Sequence, residues 1–288
     1  KKIIALISFV YGGSLVFTVS MVIDTIIIAA VLPNGLALAG VYTLAQNIAS
    51  LIQAPQRGII SSSLGALSQS WKDKDMKRIN RIYHSSSINQ LIFSTGMFAL
   101  IWLNFSDAIP TFHMQPGYQQ AMWVFFYIGL MRIVDMGTGV NSQIINTSVF
   151  WRFDFLTGII LLALTLPLNY LLTKKLGVTG PAIANLITFT IYNAIRYIFL
   201  IRKFNLQPFT LKTLYTLALA AVSFYTCHLL IKNIHGFAGM TIRSSAFLLL
   251  FIAGTIVLKL SPDILPVWNT LQKKLGKKKE INDLLNDF

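Results

Sequence analysis

The sequence predicts an all-α integral membrane protein with about eight transmembrane helices. Of its 288 residues, 55% are hydrophobic and only 12% are charged, and the mean hydropathy is +0.64. A soluble domain has about twice that share of charged residues, roughly 25%. The apolar residues also form long stretches, and about 20 such residues span a bilayer. We place spans at residues 3–32, 38–70, 79–104, 118–149, 155–173, 178–201, 211–231 and 242–260.

Basic residues are concentrated in alternate connecting segments. The richer set carries Lys1, Lys2, the cations of 72–81, Arg152, those of 202–212 and those of 273–279, whereas the other set carries Lys174, Lys175, Lys232 and Arg243. The positive-inside rule then predicts that both termini of this segment are cytoplasmic. Because topology explains the +14 charge, we expect no nucleic-acid partner. The basic tail either binds anionic membrane lipids or is a solvated charge run.

The sequence gives little support for an enzyme. The connecting segments are too short to contain a soluble catalytic domain, and a single cysteine, Cys227, excludes an intrachain disulfide and a cysteine-based zinc site. The histidines lack the spacing of metal ligands; they are His84, His113, His228 and His235. We therefore expect no catalytic activity, no metal and no organic cofactor.

The first two spans each carry polar residues on one helical face. In the first, Gly13, Ser20 and Asp24 align at about 100° per residue. The second span has a longer stripe that comprises Asn47, Ser50, Gln53, Arg57, Ser61, Gly65 and Ser68. Pro55 should kink this helix near Arg57, because proline removes one intrahelical hydrogen bond. A kinked polar stripe is what the wall of a cavity needs.

The next spans repeat this arrangement. The stripe of the fourth span comprises Arg132, Asp135, Gly139, Ser142, Gln143 and Asn146, and that of the sixth comprises Asn185, Thr188, Tyr192 and Arg196. Arg132 and Asp135 are spaced to pair within one helix. The fifth span begins at Asp154, and Pro167 predicts an interruption near its end. Arg196 is close enough to a membrane surface that its side chain can extend to water.

The last two spans lack such a stripe, and we expect no buried charge in them. We therefore expect these two helices to lie at the periphery of a functional bundle formed by the first six. The predicted organisation is therefore a six-helix lobe at 1–203, two additional transmembrane helices at 204–262 and a basic cytoplasmic tail at 263–288.

Charged residues within spans are the main candidates for function. An arginine at the bilayer centre costs at least about 2.5 kcal/mol, so it usually faces a partner or a wet cavity. Arg57 has no carboxylate within one turn, which favours a functional role. Arg132 and Asp135 are either a self-neutralising structural pair or part of the site. Asp24 either neutralises Arg57 or carries an exchangeable proton or cation.

Two stretches resemble the polysaccharide-transporter branch of the multidrug, oligosaccharidyl-lipid and polysaccharide exporter superfamily. One is GVYTLAQ at 40–46, followed by the Ser-rich helix and by KDKD at 72–75; it is similar to the family's GxYxxA entry. The other is PLNY at 167–170 with LGVTGPAIA at 176–184, which resembles the family's LN and GxxGxAxA patterns. The resemblance implies the second lobe of a MATE-like fold plus two helices, with an N-terminal lobe as partner.

The resemblance also implies a flippase in the bacterial inner membrane. Such proteins move undecaprenyl-diphosphate-linked sugar units to the periplasmic leaflet for surface polysaccharides such as O-antigen. The resemblance does not fix individual site residues; from the residue chemistry we hypothesise that Arg57 and Arg132 bind the headgroup. Side-chain amides would bind the sugar hydroxyls; they are Asn47, Gln53, Gln143 and Asn146. Asp24 and Asp135 would balance charge or couple transport to H⁺ or Na⁺.

Three alternatives stay open from the sequence. A multidrug cation antiporter of the same superfamily would use Asp24 and Asp135, although two cavity arginines would repel cationic drugs. A membrane-embedded glycan polymerase or acyltransferase would need reactive groups on the outer loop that holds Asp107 and His113. A non-catalytic scaffold would use every polar stripe only for contacts between helices.

Overall fold

The computed structural model describes residues 22–263, which are 85% helical and contain no strand. The helices are α1 (Val22–Val31), α2 (Gly35–Ser50), α3 (Gln56–Lys72), α4 (Met76–Thr111), α5 (Ala121–Gly137), α6 (Asn141–Asn146), α7 (Trp151–Leu176), α8 (Gly180–Phe204), α9 (Leu211–Leu230) and α10 (Gly236–Val257). Single 3₁₀ turns occupy Leu51–Gln53, Pro116–Gln120 and Gly177–Thr179. The predicted residues Lys1, Lys2, Gly13 and Ser20 and the basic tail after residue 263 lie outside the described part.

The protein is a multi-pass membrane protein, as its composition predicts. Five helical segments in 22–263 are long and apolar enough to cross a membrane: Gly35–Gln53, Met76–Thr111, Trp151–Phe204, Leu211–Leu230 and Gly236–Val257. The third of these contains both α7 and α8, which have 26 and 25 residues and are each long enough to span a bilayer. The predicted number of eight spans is not confirmed, because several predicted spans are divided or joined.

Two of the predicted spans are interrupted. The second divides at the 3₁₀ turn before Pro55, close to the expected kink. The fourth divides between α5 and α6 at Gly139, whose φ is +64°. An added Cβ at Gly139 would lie 2.9 Å from the backbone nitrogen of Ser87, so α4 approaches closely there. Such a backbone conformation favours glycine.

The interruption expected at Pro167 is wrong, because α7 is helical from Trp151 to Leu176. Proline removes one hydrogen bond, and membrane helices tolerate this loss where neighbouring structure supports the chain. Here α7 packs along α8 over much of its length, which holds the helix together on both sides of the proline.

Helices α5 and α8 form the centre of the bundle. Helix α5 packs against α2, α4 and α8, while α8 also packs against α6 and α7. Their main core contains the fully buried side chains of Tyr42, Ile52 and Phe125. Helices α9 and α10 pack on each other and on α4, where Phe247 and Cys227 lie in a separate apolar cluster.

The connecting segments meet at two opposite ends of the bundle. At one end the rings of Trp71 and Phe204 are 4.9 Å apart, and the Lys212 Nζ donates to the Lys259 carbonyl at 2.8 Å. This end, which we call the basic end, carries Lys72, Lys74, Lys77, Arg78, Arg81, Arg152, Arg202, Lys203, Lys212 and Lys259. The other end carries Lys174, Lys175, Lys232 and Arg243. The charge asymmetry of the sequence therefore corresponds to two real surfaces.

One prediction about α9 and α10 is wrong, since α10 does contain a buried charge. Arg243 is only 6% exposed, and its guanidinium forms an ion pair with Asp107 near the end of α4. The pair ties α10 to α4. The sequence pattern led us to count Arg243 among the cations of a connecting segment, although the predicted span 242–260 already contains it.

Gly180 allows the close approach of α8 to α7, and we expect Gly180→Ala to destabilise the protein. An added Cβ would lie 2.4 Å from the backbone carbonyl of Leu172, so the two helices would have to separate. Overpacking of this kind costs about 1–3 kcal/mol. The matched control is Gly158→Ala on α7, where a Cβ meets nothing within 4 Å. Thermal unfolding in detergent should show a lower Tm for the first variant only, and equal Tm values would contradict the packing argument.

Candidate functional site

The predicted site residues fall into an exposed group and a buried group. Arg57, Asn47 and Asn146 are exposed, whereas Gln53, Gln143 and Asp135 are half-buried. Asp24 is fully buried, and Arg132 is 7% exposed. The two arginines therefore occupy different environments: Arg57 lies on the outer surface of the helix bundle, and Arg132 lies inside it.

The exposed group belongs to a polar surface on α2 and α3. Its exposed polar side chains are Asn47, Ser50, Arg57, Ser61, Ser62, Ser68 and Gln69, and we call this surface the α2–α3 polar face. Residues 35–72 contain no aspartate or glutamate, so the face is uncharged or cationic up to its end at Gln69, whose amide donates to the Asp73 carboxylate at 2.9 Å. Polar groups are costly to place against lipid tails. The Ser50 and Ser62 hydroxyls already donate to carbonyls of their own helices, so it is Arg57 and the exposed amides that need water or another protein as partners.

Asp24 is bound inside the bundle by three neutral donors from three different helices. The Tyr42 hydroxyl donates to Oδ2 at 2.8 Å, and the Asn185 amide donates to the same oxygen at 2.6 Å. The Asn169 amide donates to Oδ1 at 2.6 Å. All four side chains are buried, with exposures of 5% or less. A carboxylate so enclosed joins α1 to α2, α7 and α8.

Arg132 supplies positive charge beside this carboxylate. Its guanidinium interacts electrostatically with Asp135 on the same helix, with Tyr42 and with Asp24. The nearby cation that acts on Asp24 is thus Arg132 on α5. We expected Asp24 either to neutralise Arg57 or to carry an exchangeable proton or cation. Because Arg132 is the cation that acts on Asp24, the first alternative gains no support.

Asp135 connects the buried group to the polar face. The Gln56 amide donates to its Oδ2 at 3.3 Å, and the Asn193 amide donates to Oδ1 at 3.1 Å. Gln56 precedes the exposed Arg57 at the start of α3. The Asn193 Oδ1 in turn accepts from Thr138 and Asn141 at 2.9 Å each, which holds the break between α5 and α6.

A third carboxylate, Asp154, lies toward the basic end. It forms an ion pair with Arg196 and accepts a hydrogen bond from the exposed Asn146 at 2.7 Å. Arg196 also lies 3.8 Å from the ring centroid of Tyr192. The expectation that Arg196 extends to the membrane surface is wrong, because the residue is only 4% exposed. An available carboxylate on α7 keeps it inside.

Helix α8 aligns these three carboxylates in one column. Asn185, Asn193 and Arg196 bind Asp24, Asp135 and Asp154 respectively. At 1.5 Å per residue, 185–196 spans about 16 Å, roughly half of a hydrocarbon core. We call this arrangement the α8 polar column.

The sequence predicts part of this column. The stripe of Asn185, Thr188, Tyr192 and Arg196 is indeed buried along one face. Four residues of the site were not predicted from the sequence: Tyr42, Gln56, Asn169 and Asn193. Asn193 was detectable, because it lies eight residues after Asn185 and three before Arg196 and so shares their face. The other three meet the site only through contacts between helices.

The described part of the chain has no cluster of three His, Cys, Asp or Glu side chains that would hold a metal ion. Comparison with known proteins gives no match to a protein-family model, a curated protein or a solved structure. The family resemblance of the motifs therefore stays an expectation. Fold and site together define a helical, multi-pass membrane protein with a column of three carboxylates, of which Asp24 is fully buried, behind an exposed polar face.

Proposed function

We propose that this chain is one lobe of an alternating-access flippase that moves an undecaprenyl-diphosphate-linked oligosaccharide to the periplasmic leaflet of the bacterial inner membrane. The observation that carries the proposal is the α2–α3 polar face. It lies on helices of a membrane protein, yet it presents amides, hydroxyls and a guanidinium outward. A water-filled path between this lobe and a second lobe satisfies those groups, whereas lipid does not.

The charge of the face suits an anionic cargo. Arg57 is exposed at its middle, and residues 35–72 contain no acidic side chain to compete for that charge. A guanidinium offers paired donors that match the oxygens of a diphosphate. Asn47 and Gln53 provide amides for sugar hydroxyls, and the lipid tail stays in the bilayer.

The α8 polar column supplies the second requirement of a transporter, which is a group whose charge changes during the transport cycle. Asp24 is an intramembrane carboxylate held by neutral donors, with Arg132 nearby. Ionisable residues at this depth commonly belong to proton relays or ion pathways. We assign Asp24 the binding of a coupling H⁺ or Na⁺, with the basic end in the cytoplasm.

We expect Arg57→Ala in the full-length protein to lower flipping about 10- to 100-fold, the effect of losing a charge-assisted hydrogen bond of about 1.5–3 kcal/mol. Lipid-linked sugar should accumulate on the cytoplasmic leaflet, which is measured by its protection from periplasmic modification. Arg57→Lys should restore part of the activity, because it retains the charge without the planar pair of donors.

The matched control is Lys175→Ala, which removes an exposed cation at the opposite end of the bundle. It should leave flipping unchanged. Normal surface glycan in Arg57→Ala would count against the flippase. Lost resistance to cationic drugs with unaltered glycan would instead identify a cation antiporter.

A further inference from the structure

A shallow groove lies between α7 and α8 at the basic end. It has a volume of about 390 Å³ and is lined by Phe153, Ile195, Ile198, Phe199, Arg202 and Lys203. The rings of Phe153 and Phe199 are stacked with centroids 4.0 Å apart and form an apolar wall of the groove. Apolar side chains thus line the part of the groove inside the bilayer, and two cations lie at its membrane-surface end.

The two cations are exposed, and the acid next to Phe153 in the chain has other partners. Arg202 and Lys203 occupy the last turn of α8, and the Lys203 Nζ lies 5.1 Å from the ring centroid of Phe150. Asp154, the neighbour of Phe153, is bound to Arg196 inside the bundle. The C-terminus of α8 carries only about half a negative charge. The groove therefore has a positive rim.

We propose that this groove binds an anionic phospholipid. The phosphate lies between Arg202 and Lys203, and one acyl chain follows Phe153, Ile198 and Ile195 into the bilayer. Ile195 precedes Lys203 by eight residues, so the apolar part extends about 12 Å from the cations. A zwitterionic lipid should bind more weakly, because the positive group of its own headgroup is repelled by Arg202 and Lys203. The proposal does not depend on the flippase model, since it needs only a membrane with anionic lipids.

The test measures lipid binding to the full-length protein in detergent by native mass spectrometry, with dioleoyl phosphatidylglycerol and dioleoyl phosphatidylcholine as probes. The unaltered protein should retain the anionic lipid preferentially. Each surface cation contributes about fivefold in affinity, so Arg202→Gln with Lys203→Gln should bind phosphatidylglycerol about 25-fold more weakly.

The control pair is Lys174→Gln with Lys175→Gln, two exposed cations at the other end of α7. It should retain full affinity. Ile198→Trp tests the acyl part, because Ile198 is 46% exposed and a larger ring there fills the groove without disturbing the core; it should also weaken binding.

Three outcomes would overturn the proposal: equal retention of both lipids, an equal loss in the two double variants, or unchanged binding in Ile198→Trp. Displacement by soluble glycerol phosphate would identify a site for free phosphate and would likewise overturn a lipid site. The proposal is supported if phosphatidylglycerol binds preferentially, if its binding depends on Arg202 and Lys203, and if glycerol phosphate does not displace it.

Discussion

We expect Arg196→Met to lower the free energy of unfolding by about 3 kcal/mol, the low end of the cost of removing one partner from a buried ion pair. The variant leaves the Asp154 carboxylate with Ser142 and Asn146 as its hydrogen-bond partners. The low end applies because 14% of the Asp154 side chain is exposed, so water compensates part of the loss. Reversible unfolding in mixed detergent micelles, followed by circular dichroism, measures this change.

A double variant separates the charge effect from lost packing. Arg196→Met with Asp154→Asn removes both charges, so its stability should return close to that of the unaltered protein. The control is Arg152→Met, an exposed cation two residues before Asp154, which should change stability by no more than about 0.5 kcal/mol. If the double variant is as unstable as Arg196→Met, packing around Tyr192 rather than uncompensated charge explains the loss.

The membrane class and the polar helix faces were predictable from the sequence, because both depend on local pattern. Length and hydropathy predict bilayer spans, and the 100° turn per residue places Asn185 and Arg196 on one face. The break near Pro55 was predictable for the same reason, since proline acts on its own helix.

The partners of the charges were not predictable, because they depend on how distant helices align. Asp24 accepts hydrogen bonds from Asn169 and Asn185, which lie 145 and 161 residues away in the chain. Arg243 is buried because Asp107 reaches it from another helix. The fourth predicted span divides at Gly139, where α4 approaches closely. The local sequence pattern does not predict that approach.

The number of spans could not be predicted from hydropathy for a related reason. Hydropathy windows treat 38–70 as one span, although the structure divides that stretch at Leu51–Gln53. Broken helices leave carbonyl and amide groups to be satisfied by neighbours, and such breaks are common where membrane helices line a cavity. The break that follows α2 lies beside Gln56, which links the α2–α3 polar face to Asp135 in the α8 polar column.

We expect Asp24→Leu to fail to fold stably, whereas Asp24→Asn folds but does not transport. Leucine removes the Asp24 acceptor from Tyr42, Asn169 and Asn185 at once, and Asn185 keeps only the Tyr42 hydroxyl at 3.3 Å. Each buried donor left unsatisfied costs about 1–3 kcal/mol, so Tyr42 and Asn169 together cost at least about 2 kcal/mol. Asparagine retains one acceptor oxygen and nearly the same volume. Within residues 22–263 the Asn169 Oδ1 has no hydrogen-bond partner, so a flip of that amide lets it accept from the new side chain.

The comparison of the two variants distinguishes a structural carboxylate from a transporting one. If Asp24 carries the coupling ion, Asp24→Asn should stay within about 1 kcal/mol of the normal stability and yet reduce export to that of cells lacking the protein. Asp24→Glu is the conservative variant that keeps a titratable group and should recover part of the export. Full export by Asp24→Asn would mean that the carboxylate only joins α1 to α7 and α8, and the coupling ion would then have to bind elsewhere in the column, with Asp135 the next carboxylate along α8.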